Sequence, residues 1–77
     1  MTRPGLRLPS RVTLPTAPML PGWHVRSAVG ASKQVISLWR KRQGFPAYYR
    51  EGREFFTSTD AIAAWLASRG VKVVRSD

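Results

Sequence analysis

The sequence has no cysteine, one histidine and only four acidic residues, and these shortages exclude several kinds of site. Without cysteine, the chain can form neither a disulfide nor a thiolate metal site. His24 and the four acids are not spaced as the ligands of a helical metal site, and no glycine-rich phosphate loop precedes a helix. We therefore expect a binding protein and not an enzyme, with no catalytic residue, no metal and no cofactor.

A long hydrophobic run is also missing. No stretch approaches the roughly 20 apolar residues of a membrane-spanning helix, and no signal-peptide core is present. We therefore expect no membrane partner and a cytoplasmic location.

Positive charge is what the sequence has in excess. Its 13 Lys and Arg residues against 4 Asp and Glu residues give a net charge of +9. Between Arg26 and Arg53 there are seven basic residues and a single acid, Glu51. A basic bias confined to one part of a chain indicates a polyanionic partner.

Proline divides the chain into an arm and a folding unit. Four of the six prolines lie within residues 1–20, where we find neither helical nor strand periodicity. Proline lacks a backbone donor and restricts the residue before it, so we predict a disordered basic arm over 1–20. Residues 21–74 are then the folded domain and 75–77 a tail. So small a core is expected to need all three tryptophans and most of the Phe and Tyr residues.

Two short helices joined by a glycine-containing turn are predicted first. One covers Trp23–Val29 and stops at Gly30. The other covers Lys33–Arg42, with the Ser32 hydroxyl as its N-cap. This is the layout of a helix-turn-helix.

The second helix has an apolar face and a polar face. At about 100° per residue, Val35, Ile36 and Trp39 cluster on one side, with Leu38 at its flank. The opposite side carries Lys33, Gln34, Ser37 and Lys41, with Arg40 at its edge. Such side chains can bond base edges or phosphates, which indicates a recognition helix. An ordinary solvated face has the same pattern, and the helix alone does not decide between the two.

Residues 45–56, FPAYYREGREFF, predict a β-hairpin with Glu51-Gly52 as its two-residue loop. In that register Arg50 lies opposite Arg53. A bulged, slightly longer loop is the alternative, because Gly52 accepts a positive φ more readily than Glu51. Two facing arginines are destabilising unless an anion lies near them. We therefore interpret the hairpin as a wing that rests on a DNA backbone or in a minor groove.

A third helix is predicted after the hairpin. The segment Thr57–Asp60 offers a hydroxyl N-cap with an acid in the first turn. Ile62, Trp65 and Leu66 form its apolar stripe, and Gly70 marks its end. The sequence VKVV that follows fits either a short strand or a structureless end.

The order helix, turn, helix, aromatic-rich hairpin, helix resembles the small winged-helix domains of the MerR superfamily. More specifically, three features resemble phage excisionases of the lambdoid type: Trp39 in the second helix, the Phe45-Pro46 pair, and the run Arg50-Glu51-Gly52-Arg53-Glu54-Phe55. The resemblance covers about residues 23–66. It implies an α+β, mostly helical fold: a winged helix-turn-helix with two short helices, a two-stranded wing hairpin and a third helix.

The resemblance also implies a function. Excisionases of this type place a helix in the major groove and a wing arginine in the adjacent minor groove of double-stranded DNA. They bind neighbouring sites cooperatively, bend the DNA and assist a tyrosine integrase. For this chain the resemblance implies an architectural factor that sets recombination directionality, associated with the nucleoid. Arg53 matches the wing arginine and Arg50 the basic residue before the turn. Helical phase adds as candidate DNA contacts Lys33, Gln34, Ser37, Arg40 and Lys41.

Other interpretations stay open. The chain also fits a small phage or prophage transcriptional regulator, a DNA-packaging protein like a terminase small subunit, or a basic module that binds an acidic protein. Single-stranded DNA or RNA binding is a further class, in which the rings of the hairpin stack on bases. That class requires exposed rings, whereas we expect so small a core to use Tyr48, Tyr49, Phe55 and Phe56.

Overall fold

The computed structural model describes residues 8–76, and within them the chain forms three helices and five short strands. The helices are α1 (Gly22–Val29), α2 (Lys33–Arg42) and α3 (Thr59–Ser68). The strands are β1 (Arg11–Leu14), β2 (Met19–Pro21), β3 (Tyr49–Glu51), β4 (Glu54–Ser58) and β5 (Lys72–Arg75). The predicted α+β class is confirmed, and the strands form two small sheets.

The three helices match their predictions to within two residues. The Ser32 hydroxyl accepts a hydrogen bond from the Val35 N–H at 3.2 Å, which makes it the predicted N-cap of α2. Ser58 caps α3 in the same way, accepting from the Ala61 N–H at 3.3 Å. Each such cap stabilises its helix by about 1 kcal/mol. These ends were predictable because a cap and its partner lie within one turn of each other.

The predicted hairpin forms between β3 and β4, but its predicted register is wrong by two residues. Glu51 pairs with Glu54 and Arg50 with Phe55, so the two-residue loop is Gly52-Arg53. Gly52 has φ +64° and Arg53 does not have a positive φ, which are the φ signs of a type II′ turn. This loop spares Glu51 a positive φ. Arg50 and Arg53 therefore do not face each other across the strands.

The prediction that residues 1–20 are disordered is wrong where the structure places strands β1 and β2. β1 pairs in parallel with β5, and β2 pairs antiparallel with β4, which extends the hairpin into a sheet of order β2-β4-β3. Pro9 and Pro15 flank β1 and do not interrupt it, so the ladder loses no donor. Residues 1–7 of the predicted arm lie outside the described residues, as does Asp77 of the predicted tail.

The core draws on both ends of the chain. Val12, Leu14 and Leu20 from the predicted arm are buried, and so is Val71 just before β5. The remaining buried apolar residues are Val25, Val29, Ile36, Trp39, Phe45, Ile62, Trp65 and Leu66. The folded part therefore begins before residue 21, and aliphatic side chains of the arm occupy volume that we expected aromatic rings to fill.

Several predicted core residues are consequently at the surface. Trp23 is 59% exposed, Tyr49 62% and Tyr48 47%. Val35, predicted on the apolar face of α2, is also exposed, because that helix turns Ile36 and Trp39 towards the core. Within the core, Trp39, Phe45 and Trp65 form a cluster with ring centres 4.8–5.9 Å apart. The Trp65 Nε1–H donates to the Gln43 carbonyl at 2.9 Å, so its one polar atom is satisfied.

Candidate nucleic-acid interface

A groove with a basic lining lies between α1, α2 and the β3–β4 hairpin. We call it the basic groove. It is lined by Gly22, Val25, Arg26, Lys33, Ile36, Ser37, Arg40, Tyr48 and Phe55. Val25 and Ile36 are buried and belong to the core, so the groove has an apolar floor anchored in both helices. Three cations, the Ser37 hydroxyl and the aromatic rings of Tyr48 and Phe55 stand around that floor.

Arg40 is the most firmly held of the three cations. Its Nε–H donates to the Pro46 carbonyl at 3.1 Å, and its guanidinium carbon lies 4.6 Å from the centre of the Tyr48 ring. Burial lowers the pKa of Arg40, and Tyr48 offsets part of that shift, but an arginine stays charged at any pH near neutrality. Among residues 8–76 its terminal nitrogens have no hydrogen-bond partner. Arg40 is therefore a fixed positive charge with donors to spare.

Arg26 approaches the groove from α1. Its guanidinium lies over the backbone of Gly22, where an added Cβ would stand 3.3 Å from Arg26 Nη1. The same Cβ would be 3.9 Å from the Phe55 carbonyl oxygen, so α1 and the hairpin meet closely at this point. The absent side chain of Gly22 thus leaves Arg26 room between the helix and β4.

The cations of the basic groove have no acidic partner. Across residues 8–76 the ion pair within 4 Å joins Arg75 to Asp60, at 3.1 Å, and neither residue lines the groove. Like charges held close together repel one another, by an amount that falls with solvent screening. An anion bound among Arg26, Lys33 and Arg40 would turn that repulsion into attraction.

The structure divides the predicted helix contacts into two groups. Lys33, Ser37 and Arg40 line the basic groove, whereas Gln34 and Lys41 are exposed on α2 but do not line it. Lys41 also stands in the last turn of α2, where a cation favours the helix dipole irrespective of any ligand. The outer group therefore projects from the helix surface beyond the groove.

The hairpin tip differs from the predicted wing. Arg50 donates from Nε to the Gly52 carbonyl at 3.2 Å, and Arg53 is an exposed turn residue. Glu51 and Glu54 stand opposite each other beside them, so the formal charges of the tip cancel. Because Arg50 pairs with Phe55 in this register, no two arginines face each other and no anion is needed between them. The tip contributes donors without a net positive charge.

Two parts of the site were missing from the sequence prediction. Arg26 belongs to the basic segment, but the predicted helix contacts follow the helical phase of α2 and include no residue of α1. Tyr48 and Phe55 were assigned to the core, yet they form an edge-to-face pair with ring centres 4.8 Å apart in the wall of the groove. The pairing of these two rings on one face of the hairpin follows from strand alternation, which the shift of two residues preserves.

Residues 8–76 contain no group of three or more His, Cys, Asp or Glu side chains able to hold a metal ion. Over the same range no helix has the length and apolarity to cross a bilayer. Comparisons with protein-family models, with curated proteins and with solved structures gave no match. Function is therefore inferred from the groove itself.

Proposed function

We propose that this protein binds double-stranded DNA as a small winged helix, with α2 in the major groove and the β3–β4 hairpin as the wing. The observation that carries this proposal is the basic groove: Arg26, Lys33 and Arg40 converge without an acid between the exposed face of α2 and the hairpin. A polyanion whose backbone runs beside the helix fits that arrangement.

The dimensions of α2 suit this role. Its ten residues make a rod about 15 Å long, and the major groove of B-DNA, roughly 12 Å wide, admits one helix. Gln34 and Ser37 are exposed and carry groups that can bond base edges, and Lys41 can reach guanine or phosphate. In this proposal the hairpin contacts the neighbouring backbone through Arg50 and Arg53.

An excisionase-like role is the form of the proposal that the hairpin sequence favours. The order α1, turn, α2, hairpin, α3 and the aromatic and basic residues of 45–56 support an architectural factor that bends DNA in the nucleoid. Its partners would then be a tyrosine integrase and further copies of the same chain on adjacent sites. A phage regulator or a DNA-packaging protein would use the same surface for duplex binding.

The exposed rings favour a second candidate function. Tyr48, Tyr49 and Phe55 are exposed on the hairpin, so the condition set for single-stranded DNA or RNA binding is met. Bases stacked on such rings contribute about 1–3 kcal/mol each. Tyr48 and Phe55 stand beside cations in the groove, which is the combination that single-strand binding uses.

A mobility-shift titration tests both candidates. The purified protein is titrated onto duplex fragments of its own genomic neighbourhood, with random duplex and single-stranded DNA as competitors. We expect discrete complexes on one duplex region that resist random competitor. With about five phosphate contacts, log K should fall against log salt with a slope of roughly −4.5.

Two other results would redirect the proposal. Preferential loss of the complexes to single-stranded competitor would favour the stacking function. A slope near zero, with no discrete complex, would contradict nucleic-acid binding and favour an acidic protein partner.

A further inference from the structure

We infer that the basic groove holds one backbone phosphate of the DNA, shared by Arg26 and Lys33, with the adjoining sugar against Tyr48 and Phe55. The inference rests on the proposed function and deepens it, because it separates the residues that position the DNA from those that read its sequence. It also gives a role to Arg26, which the helix-phase argument did not include.

The composition of the groove selects a phosphodiester over other anions. Arg26, Lys33 and Arg40 supply positive charge and hydrogen-bond donors, and the Ser37 hydroxyl adds another. The remaining wall is apolar: the Tyr48–Phe55 pair above the buried floor of Val25 and Ile36. A carboxylate or a free phosphate uses only the cationic side. A sugar–phosphate unit uses both, since its phosphate is anionic and its deoxyribose presents C–H groups.

The groove is also preorganised for such a ligand. Arg40 is fixed by Pro46 and Tyr48, and Arg26 rests in the space left by Gly22. Side chains that are already ordered lose less conformational entropy on binding than free ones. The Arg40 Nε–H is bonded to the Pro46 carbonyl, so Arg40 adds a fixed positive charge beside the phosphate that Arg26 and Lys33 share.

The same geometry divides the polar side chains of α2 into two groups. Lys33 and Arg40 face the groove and the hairpin, whereas Gln34 and Lys41 lie outside the lining. Groove residues should therefore govern affinity for any sequence and its dependence on salt. The outer residues should govern the choice of sequence.

The test compares salt slopes on one random duplex for the wild type, Arg26→Gln, Lys33→Gln and the double variant. Lys72→Gln is the matched control, because it removes the same charge from β5, outside the groove. We expect the double variant to reduce the magnitude of the slope by about 0.9, the value of one phosphate, and the control to leave it unchanged. A reduction of about 1.8 would mean two separate phosphates, and no reduction would mean no contact; either overturns the shared site.

An NMR titration with inorganic phosphate separates failure of the groove from failure of the proposed function. Saturable shifts confined to the amides of residues 22–26 and 32–40 are expected, and Arg26→Gln should abolish them. Shifts spread evenly over all the basic residues would overturn the groove as a site. If the wild type shows the confined shifts but binds no duplex, the proposed function fails and the assignment to DNA is overturned with it.

Discussion

Two aromatic clusters in this protein are built from similar side chains and lie in opposite environments. Trp39, Phe45 and Trp65 pack together in the core, whereas Tyr48 and Phe55 pair at the surface. Each cluster has an arginine against a ring: Arg69 lies 5.2 Å from the Trp65 ring centre, and Arg40 lies 4.6 Å from that of Tyr48.

The difference shows that coverage by neighbouring elements decides whether an aromatic ring is buried or exposed. Trp39 and Trp65 come from α2 and α3, and their buried rings stack on each other with centres 5.6 Å apart. Tyr48 and Phe55 belong to the hairpin segment, and the rest of residues 8–76 leaves them 47% and 36% exposed. Arg40 connects the two clusters, because its guanidinium also lies 5.6 Å from the Phe45 ring centre. The inner cluster stabilises the fold, and the outer one forms a wall of the basic groove.

The largest expected effect comes from the inner cluster. Trp65→Ala should lower the free energy of unfolding by about 3–5 kcal/mol, since it leaves a large cavity and removes one of the two hydrogen bonds that the Gln43 carbonyl accepts, the other coming from Arg69. Thermal and denaturant unfolding followed by circular dichroism would measure it. Trp23→Ala is the matched control: it removes an exposed tryptophan and should change stability by about 0.5 kcal/mol or less. Equal losses in the two variants would contradict the assignment of the inner cluster to the core.

The outer cluster should affect binding more than stability. Tyr48→Ala removes the ring that holds Arg40, so we expect duplex affinity to fall roughly tenfold. The free energy of unfolding of this variant should differ from that of the wild type by at most about 1 kcal/mol, because the Tyr48 ring is nearly half exposed. Tyr49→Ala, on the other face of β3, is the control and should leave duplex affinity within about twofold. A larger fall for Tyr49→Ala than for Tyr48→Ala would show that DNA meets the opposite face of the hairpin.

The smallest effect is expected at the hairpin tip. Arg53→Ala should weaken duplex binding about two- to fivefold without lowering the melting temperature, because an exposed charge contributes roughly 0.2–1 kcal/mol. Arg11→Ala, which removes the same charge from β1, controls for net charge. Mobility-shift titrations at one salt concentration suffice for the comparison. Unchanged affinity in Arg53→Ala would remove the tip from the proposed interface.

Local signals in the sequence predicted the helices well. Ser32 and Gly30 mark the ends of α2 and α1 because capping groups act on amides and carbonyls within a single turn. Ile62, Trp65 and Leu66 are buried, as the spacing of the apolar residues in α3 predicts. The prediction of which side chains share a face of the hairpin was also correct, since strand alternation does not depend on which residues pair.

Signals that depend on distant residues were missed. The alternation in β1, with Arg11 and Thr13 exposed and Val12 and Leu14 buried, spans four residues and is too short to identify a strand by itself. Its partner β5 lies about 60 residues away, and the Arg75 side chain adds a hydrogen bond to the Pro15 carbonyl at 3.2 Å. The hairpin register was missed for a different reason: the prediction placed Glu51 in a loop position where Gly52 and Arg53 fit the turn better.

The sequence alone determined the charge of this protein, the ends of its helices and the faces of its strands, because these depend on composition and on contacts between near neighbours. The tertiary structure decided which rings are buried, that the predicted arm contributes to the core, and that Arg26 stands beside Lys33 and Arg40. Those outcomes depend on which elements cover one another, and that is set by packing between segments far apart in the chain.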